Sequence, residues 1–255
     1  MARSVNKNTR IYIDGFDLSG YVQGAPSLSW GFDPNEWAAA TDPVNGVLPG
    51  RADIRVGSFN AVVDNTATVG LHAALSSADA VRNLMVALGM TSAPAAGAPV
   101  FCAQLTQLDY RVGAGDGLVP VTIDFGGWDE RGDSKAYGVP WGYLLHANSA
   151  ETAANSADAA DHDAGASSAL GGFMMYQVFS SDGSVAIKVQ DSDAESNGDY
   201  SDLLTSGDVD ASSAPVSGVV ALAADATVER YLRWQIALNT ATTVTFALGF
   251  VRGIL

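Results

Sequence analysis

The chain has 255 residues, with 28 acidic side chains against 13 basic ones and a formal net charge of −15. This surplus excludes the basic face that a nucleic-acid-binding protein needs to neutralise phosphates, although DNA can pass an acidic surface without sticking because like charges repel. Hydrophobic residues make up 47% of the chain, which excludes extensive disorder and is enough for a sizeable core.

The first part of the chain alternates apolar and polar residues, as half-buried β-strands do. The Asp14-Gly15 pair predicts a tight turn between the first two strands. A loop is expected over residues 33–50, which contain several turn-forming pairs with proline or glycine, and a bulge is expected near Gly57, where the apolar phase changes. The predicted strands are Arg10–Asp14, Phe16–Val22, Leu28–Phe32 and Arg51–Val63.

One helix is predicted, over Val69–Gly89, because apolar residues recur there at three- and four-residue spacing. Its apolar face has to pack on a sheet, so we expect a β-fold with one packed helix. The residues expected on that face include Leu75, Val81, Met85 and Leu88, with Arg82 at its edge.

A long hairpin is predicted after the helix. Val100–Val112 is expected to form one long strand, and Leu118–Phe125 alternates with its apolar residues on one side. The single cysteine, Cys102, lies in this apolar run and rules out an intrachain disulfide. We expect it to be a buried small hydrophobic residue rather than a catalytic thiol.

Composition changes after residue 134. Tyr137–His146 is a possible further strand, and the alanine-rich Ala147–Leu170 is predicted to be a linker or a long loop. Asn239–Ala241 is short enough to join the last two of the following strands as a hairpin. We therefore predict a polymerising domain at 1–134, a connecting strand and linker at 135–170, and a β-sandwich at 171–255. The strands predicted in that sandwich are Phe173–Phe179, Val185–Gln190, Val216–Leu222, Val228–Leu238 and Thr242–Val251.

No catalytic, cofactor-binding or metal-binding residue is assigned, and we expect neither an enzyme nor a cofactor. The three histidines, His72, His146 and His162, lie in separate segments and lack metal-site spacing. Asp191–Glu195 has acidic residues at alternate positions, but without the glycine and glutamate of a calcium loop it is read as a solvated loop. Arg131–Asp133 matches an adhesion tripeptide, a match that we attribute to chance.

The chain has five tryptophans, a residue type that stacks on sugar rings. Trp30 and Trp234 occupy apolar strand positions, where core packing is expected. Those in loop-like contexts, which are candidates for ligand or subunit contact, are Trp37, Trp128 and Trp141.

The first half of the chain resembles the tail tube (major tail) proteins of long-tailed bacterial and archaeal viruses. The resemblance covers residues 9–130 and rests on RIYIDGFDLSGYV, a turn-rich loop ending GVLPGRADIRVGSFNAVVDN, GLHAAL and the long hairpin that follows. It implies a short β-barrel or sandwich with one flanking helix that assembles into stacked rings, with hairpins lining a channel. The second half is similar to sandwich modules that decorate viral proteins and to carbohydrate-binding modules.

The function expected from this resemblance is that of a structural virion protein, a tail tube subunit that forms stacked, hexameric rings around a DNA channel. Its expected partners are further copies of itself and other tail proteins, with DNA passing without tight binding and no membrane contact. It would be made in the host cytoplasm and reside in the virion tail. Two alternatives are a carbohydrate-binding or adhesin-type β-sandwich, and another virion ring or decoration protein.

Overall fold

The structure is a computed structural model that describes residues 8–24, 26–37, 46–66, 70–77, 80–114, 117–126, 140–155 and 160–253. The described part is mainly β, as the alternating patterns predict, and its strands form two antiparallel sheets. No helix in these ranges is long and apolar enough to span a membrane. The resemblance implied a barrel or a sandwich, and no closed barrel forms among the described strands.

The first eight strands and one short helix lie before residue 127. They are β1 (Thr9–Ile13), β2 (Phe16–Asp17), β3 (Ser27–Trp37), β4 (Gly46–Val62), α1 (Leu71–Leu75), β5 (Val81–Leu88), β6 (Pro99–Gln107), β7 (Arg111–Val112) and β8 (Pro120–Gly126).

The remaining strands follow from residue 141. They are β9 (Trp141–Glu151), β10 (His162–Asp163), β11 (Gly172–Ser181), β12 (Ser184–Ser192), β13 (Ser201–Thr205), β14 (Val209–Asp210), β15 (Val216–Ala221), β16 (Tyr231–Leu238) and β17 (Val244–Arg252), with a 3-10 turn at Asn197–Asp199.

The larger sheet contains twelve strands and spans both halves of the sequence. Eight form a row in the order β15-β11-β17-β9-β6-β5-β1-β2, and β3, β4, β7 and β8 branch from it through β8. The smaller sheet has five strands, with β12 and β16 at its centre. β9 pairs with β6 on one side and with β17 on the other, so it joins strands from the two halves.

Three apolar clusters fill the molecule. The first core lies among β1, β5, β6, β4, β8 and α1, and the sandwich core lies between the smaller sheet and β9, β11 and β17. The central core combines side chains from both halves, such as Tyr12, Met85 and Phe173. Because the central strands are covered on both faces, they are continuous apolar runs rather than alternating ones.

The helix predicted over Val69–Gly89 is wrong beyond its first turn. Only Leu71–Leu75 is helical, and Val81–Leu88 is strand β5, paired with both β1 and β6. Leu84 and Val86 face the first core, whereas Met85 faces the central core. Residues 84–88 of β5 are apolar at every position because both faces of the strand are covered, so a three- and four-residue spacing can be selected from them as readily as from a helix.

Three further segments differ from their predictions. The strands expected to form a hairpin through Asn239–Ala241 lie in different sheets, since β16 pairs with β12 and β17 pairs with β11 and β9. The strand expected over Val100–Val112 is interrupted, because β6 ends at Gln107 and β7 covers only Arg111–Val112. The segment predicted as a linker also contains the end of β9 and the whole of β10.

Several local predictions are confirmed. Asp14 and Gly15 both have positive φ, at 51° and 84°, and connect β1 to β2 as expected for a tight hairpin turn. The register of β4 on β8 shifts between Val56 and Phe59, which places the irregularity at the predicted bulge near Gly57. Cys102 is fully buried, and burial raises the pKa of its thiol.

Limited proteolysis tests the predicted division into 1–134, 135–170 and 171–255. We expect cleavage near the exposed residues Thr152–Ala154 to leave two fragments that elute together in gel filtration, because β9 stays hydrogen-bonded to β17 across the cut. Denaturant should be required to separate them. Separate elution of two folded fragments without denaturant would show that the halves are independent domains.

Candidate assembly surfaces

The β3–β4 hairpin extends beyond the rest of the sheet as a two-stranded ribbon. The strands pair from Ser27 opposite Gly57 to Trp37 opposite Gly46, whereas β4 meets β8 only from Arg55 onward. We call the outer part of this hairpin, residues 31–37 and 46–53, the ribbon. It is about 20 Å long at the usual rise of a β-strand. The loop predicted over residues 33–50 is therefore wrong at both ends, where strands continue.

Both edges of the ribbon lack a strand partner among the described residues. β3 pairs with β4 alone, and the ribbon part of β4 pairs with β3 alone. Pro34 lies opposite Pro49, and neither residue has a backbone N–H to donate. An isolated two-stranded hairpin is marginally stable in water, and free strand edges bind other strands. The ribbon is therefore suited to pairing with another chain.

An apolar surface continues from the first core to the base of the ribbon. Trp30 packs against the first core and contacts Phe32 edge to face, with ring centroids 5.5 Å apart. Phe32 is exposed, and the buried indole Nε1 of Trp30 has no hydrogen-bond partner within the described ranges. Trp30 therefore packs against the first core, as the sequence predicted, but it is only partly buried.

A second apolar surface lies on and beside the β7–β8 hairpin. Four large apolar side chains are exposed there: Leu108, Val112, Leu118 and Val119. Val63 donates its backbone N–H to the carbonyl of Val119, which fixes this hairpin to the end of β4. Clustered exposed apolar residues are typical of protein–protein contact sites, because water is displaced favourably when a partner covers them.

The edge of β16, in contrast, is covered by a side chain. The Asp161 carboxylate accepts the backbone N–H of Trp234 at 3.0 Å, next to the short pairing of β10 with β16. Burial raises the pKa of Asp161 to about 6. A carboxylate that occupies an edge N–H prevents another strand from pairing at that point.

A polar seam connects the β1–β2 turn to β11 and β15, which lie at the opposite end of the row of eight strands. We give this name to Asp14, Gly15, Asn83, Gln177 and Ser217. Gln177 accepts the N–H of Gly15 at 2.5 Å and donates to the carbonyl of Asn83 at 2.9 Å, and Asn83 Nδ2 donates to Ser217 Oγ at 2.8 Å. The β1–β2 turn thus contacts β11 and β15 through side chains rather than through strand pairing.

Arg82 supports this seam, which the helical interpretation did not anticipate. Its Nη1 lies 3.0 Å from Asp14 Oδ2, its Nε donates to Gln107, and its side chain is only 11% exposed. Its expected place at the edge of a helix face is therefore wrong, and replacing it removes a largely buried ion pair.

The three histidines lie apart, as the sequence suggested. His72 is hydrogen-bonded to Tyr110 at the rim of the first core, and His162 stacks on Tyr143. His146 lies in the sandwich layer within hydrogen-bond distance of the Phe246 carbonyl and of Glu151, and burial lowers the pKa of its imidazole. No group of three or more metal-ligating side chains comes together in the described part of the chain.

The acidic stretch Asp191–Glu195 is only partly the solvated loop that was expected. Asp191 is buried at the end of β12 and accepts the N–H of Glu229, and burial raises its pKa. Asp193 and Glu195 are exposed, and Glu195 accepts the N–H of Ala160. Through these hydrogen bonds, Asp191 and Glu195 connect the stretch to neighbouring segments at Glu229 and Ala160.

Of the tryptophans singled out from the sequence, one lies in a core, one is exposed on a strand, and two have side chains outside the described residues. Trp234 lies in the sandwich core as expected, and Trp141 is 38% exposed on β9. The side chain of Trp37 and all of Trp128 lie outside the described residues, as does the tripeptide Arg131–Asp133.

Comparison with known proteins gives no family. The sequence matches no family model and no curated protein. One similar solved structure is the Dit (gp 19.1) protein of phage SPP1, described as a paradigm of the hub adsorption apparatus in phages that infect Gram-positive hosts. It is 12% identical, the match covers 95% of this chain and 99% of that one, and the TM-score is 0.33. A similarity this low carries no functional argument.

Proposed function

We propose that the protein is a structural virion protein, a subunit of a viral tail tube that assembles through its ribbon into stacked rings around a DNA channel. The observation that carries the proposal is the two-stranded ribbon with two unpaired edges. The motifs of residues 9–130 that resemble tail tube proteins support it independently. On this proposal the protein is made in the host cytoplasm and resides in the virion tail.

Ring closure explains why the ribbon can persist. A ribbon edge that pairs with a neighbouring subunit gains backbone hydrogen bonds, and a closed ring leaves no ribbon edge free. The apolar residues at its base and on the β7–β8 hairpin would be covered in the same contact. In contrast, Asp161 blocks the edge of β16, so that assembly is directed to the ribbon.

The charge of the chain suits a channel that DNA traverses. With a net charge of −15, the surface repels phosphates on average and provides no general electrostatic affinity for DNA. DNA would therefore pass through the ring without tight binding. Other tail proteins are the remaining expected partners.

Electron microscopy of a ribbon-shortened variant tests the proposal. Replacing residues 33–51 by Asn-Gly closes the hairpin between Phe32 and Ala52, which pair in the native register, with a turn suited to β-hairpins. We expect the intact protein at high concentration to form stacked rings with six subunits each. The variant should remain monomeric, with a thermal midpoint close to that of the intact chain, because it retains every residue of the three described core clusters.

Three outcomes would contradict the proposal in different ways. Isolated rings that do not stack would favour another virion ring protein over a tube subunit. A stable monomer at high concentration would favour a binding module. Rings formed equally well by the shortened variant would show that the assembly contact lies elsewhere, for example on the β7–β8 hairpin.

A further inference from the structure

Two aromatic side chains are exposed side by side on β9, the strand that joins the two halves. Trp141 and Tyr143 are 38% and 39% exposed, and they point to the same face because they are two residues apart in a strand. On that face they lie between Phe101, which belongs to the first core, and Leu145, which belongs to the sandwich core. We call Trp141 and Tyr143 the aromatic pair.

Other rings hold the aromatic pair in place. Trp141 contacts Phe101 edge to face, with centroids 5.2 Å apart and planes at 79°. Tyr143 stacks on His162, with centroids 3.6 Å apart and planes at 22°. Their strand is also paired on both sides, with β6 and with β17. The two rings are thus oriented before any ligand arrives, which lowers the entropic cost of binding.

We propose that the aromatic pair is a binding site for a neutral saccharide. The negative face of an aromatic ring attracts the weakly positive C–H groups on the face of a sugar ring, while the sugar hydroxyls stay in contact with water. The two-residue spacing separates the Cα atoms by about 7 Å, so that each ring can contact its own sugar unit of a short chain.

The surrounding charges and polar groups favour a neutral ligand over an anionic one. The net charge of −15 opposes binding of a polyanion, and the two charged groups that act on His162, Arg252 and Asp163, are of opposite sign. His162, beneath Tyr143, has a lowered pKa because of burial, and its Nε2 has no hydrogen-bond partner within the described ranges. The imidazole that supports Tyr143 is therefore neutral at pH 7 and adds no attraction for an anion.

Calorimetric titration of the full chain with neutral oligosaccharides tests the proposal. The probes are the hexamers of β-1,4-glucose, α-1,4-glucose and N-acetylglucosamine, each up to about 10 mM, where a site with a Kd near 1 mM is mostly filled. We expect saturable binding of at least one probe. Trp141→Leu and Tyr143→Leu, which keep apolar bulk but lose the aromatic face, should each weaken it at least tenfold. The control is Leu170→Ala, an exposed apolar residue outside the pair, which should bind as the intact chain does.

The thermal midpoint of each variant shows whether it is folded, and Trp141→Phe should retain measurable binding because it retains an aromatic face. The proposal is overturned if no probe binds, or if both leucine variants bind as tightly as the intact chain. It is also overturned if the leucine variants lose ring formation while binding is unchanged, since the pair would then be a subunit contact. Ring formation is measured separately, so that failure here leaves the proposed assembly unaffected.

Discussion

Truncating Leu84 to alanine should lower the free energy of unfolding by about 2–5 kcal/mol, a large share of the roughly 5–15 kcal/mol of a typical domain. Leu84 is completely buried in the first core, between the neighbouring strands β1 and β6. Its removal leaves a cavity that paired strands on both sides cannot collapse to fill. Urea denaturation of the purified variant measures the loss.

Two neighbouring substitutions distinguish a strand from a helix here. Met85→Ala should cost a similar amount, because Met85 is buried in the central core on the opposite face. Val81→Ala should cost well under 1 kcal/mol, because Val81 is 40% exposed. A helix facing the sheet through Val81 and Met85 would place Leu84 on the same apolar face, so it predicts similar losses at Val81 and Leu84. A loss at Val81 equal to that at Leu84 would refute the strand assignment.

The second large effect is expected at the polar seam. Gln177→Leu removes both the acceptor for the Gly15 N–H and the donor to the Asn83 carbonyl, and Gln177 is completely buried. The Asn83 carbonyl still accepts the N–H of Asp14, whereas the buried N–H of Gly15 is left without a partner. A buried polar group left without a partner costs about 1–3 kcal/mol, so the variant should lose about 1–3 kcal/mol in unfolding free energy. Denaturant unfolding followed by circular dichroism gives the value.

The matched control for this substitution is Gln23→Leu. Gln23 is exposed, so the same chemical change should alter stability by no more than about 0.5 kcal/mol. Equal losses in the two variants would show that the seam contributes nothing beyond the general effect of replacing glutamine. A steeper urea dependence for Gln177→Leu alone would instead indicate a change in compactness.

Strands with one buried face were predictable from sequence because their alternation reports that face directly. Val121, Ile123 and Phe125 share a phase, and all three are buried in the first core as part of β8. The Asp14-Gly15 turn was equally predictable, since few residue pairs accept positive φ at both positions.

Features that depend on distant parts of the chain were not predictable. β5 was mistaken for a helix because its second buried face is covered by strands from the other half of the sequence. The ribbon was mistaken for a loop because proline and glycine, which usually end strands, are tolerated where a strand has a free edge. Of the site residues, Trp141 was singled out, whereas Gln177 was missed because its partner Gly15 lies 162 residues away.

The position of β17 limits when the larger sheet can be completed during synthesis. It follows all the other described strands in sequence, yet it lies between β9 and β11 and contributes Phe246 and Leu248 to the sandwich core. During synthesis, the larger sheet therefore stays divided until residues 244–252 have left the ribosome. On the proposed assembly, a nascent subunit whose ribbon is already translated would still lack the completed sheet against which a ring is built, so translation would delay polymerisation.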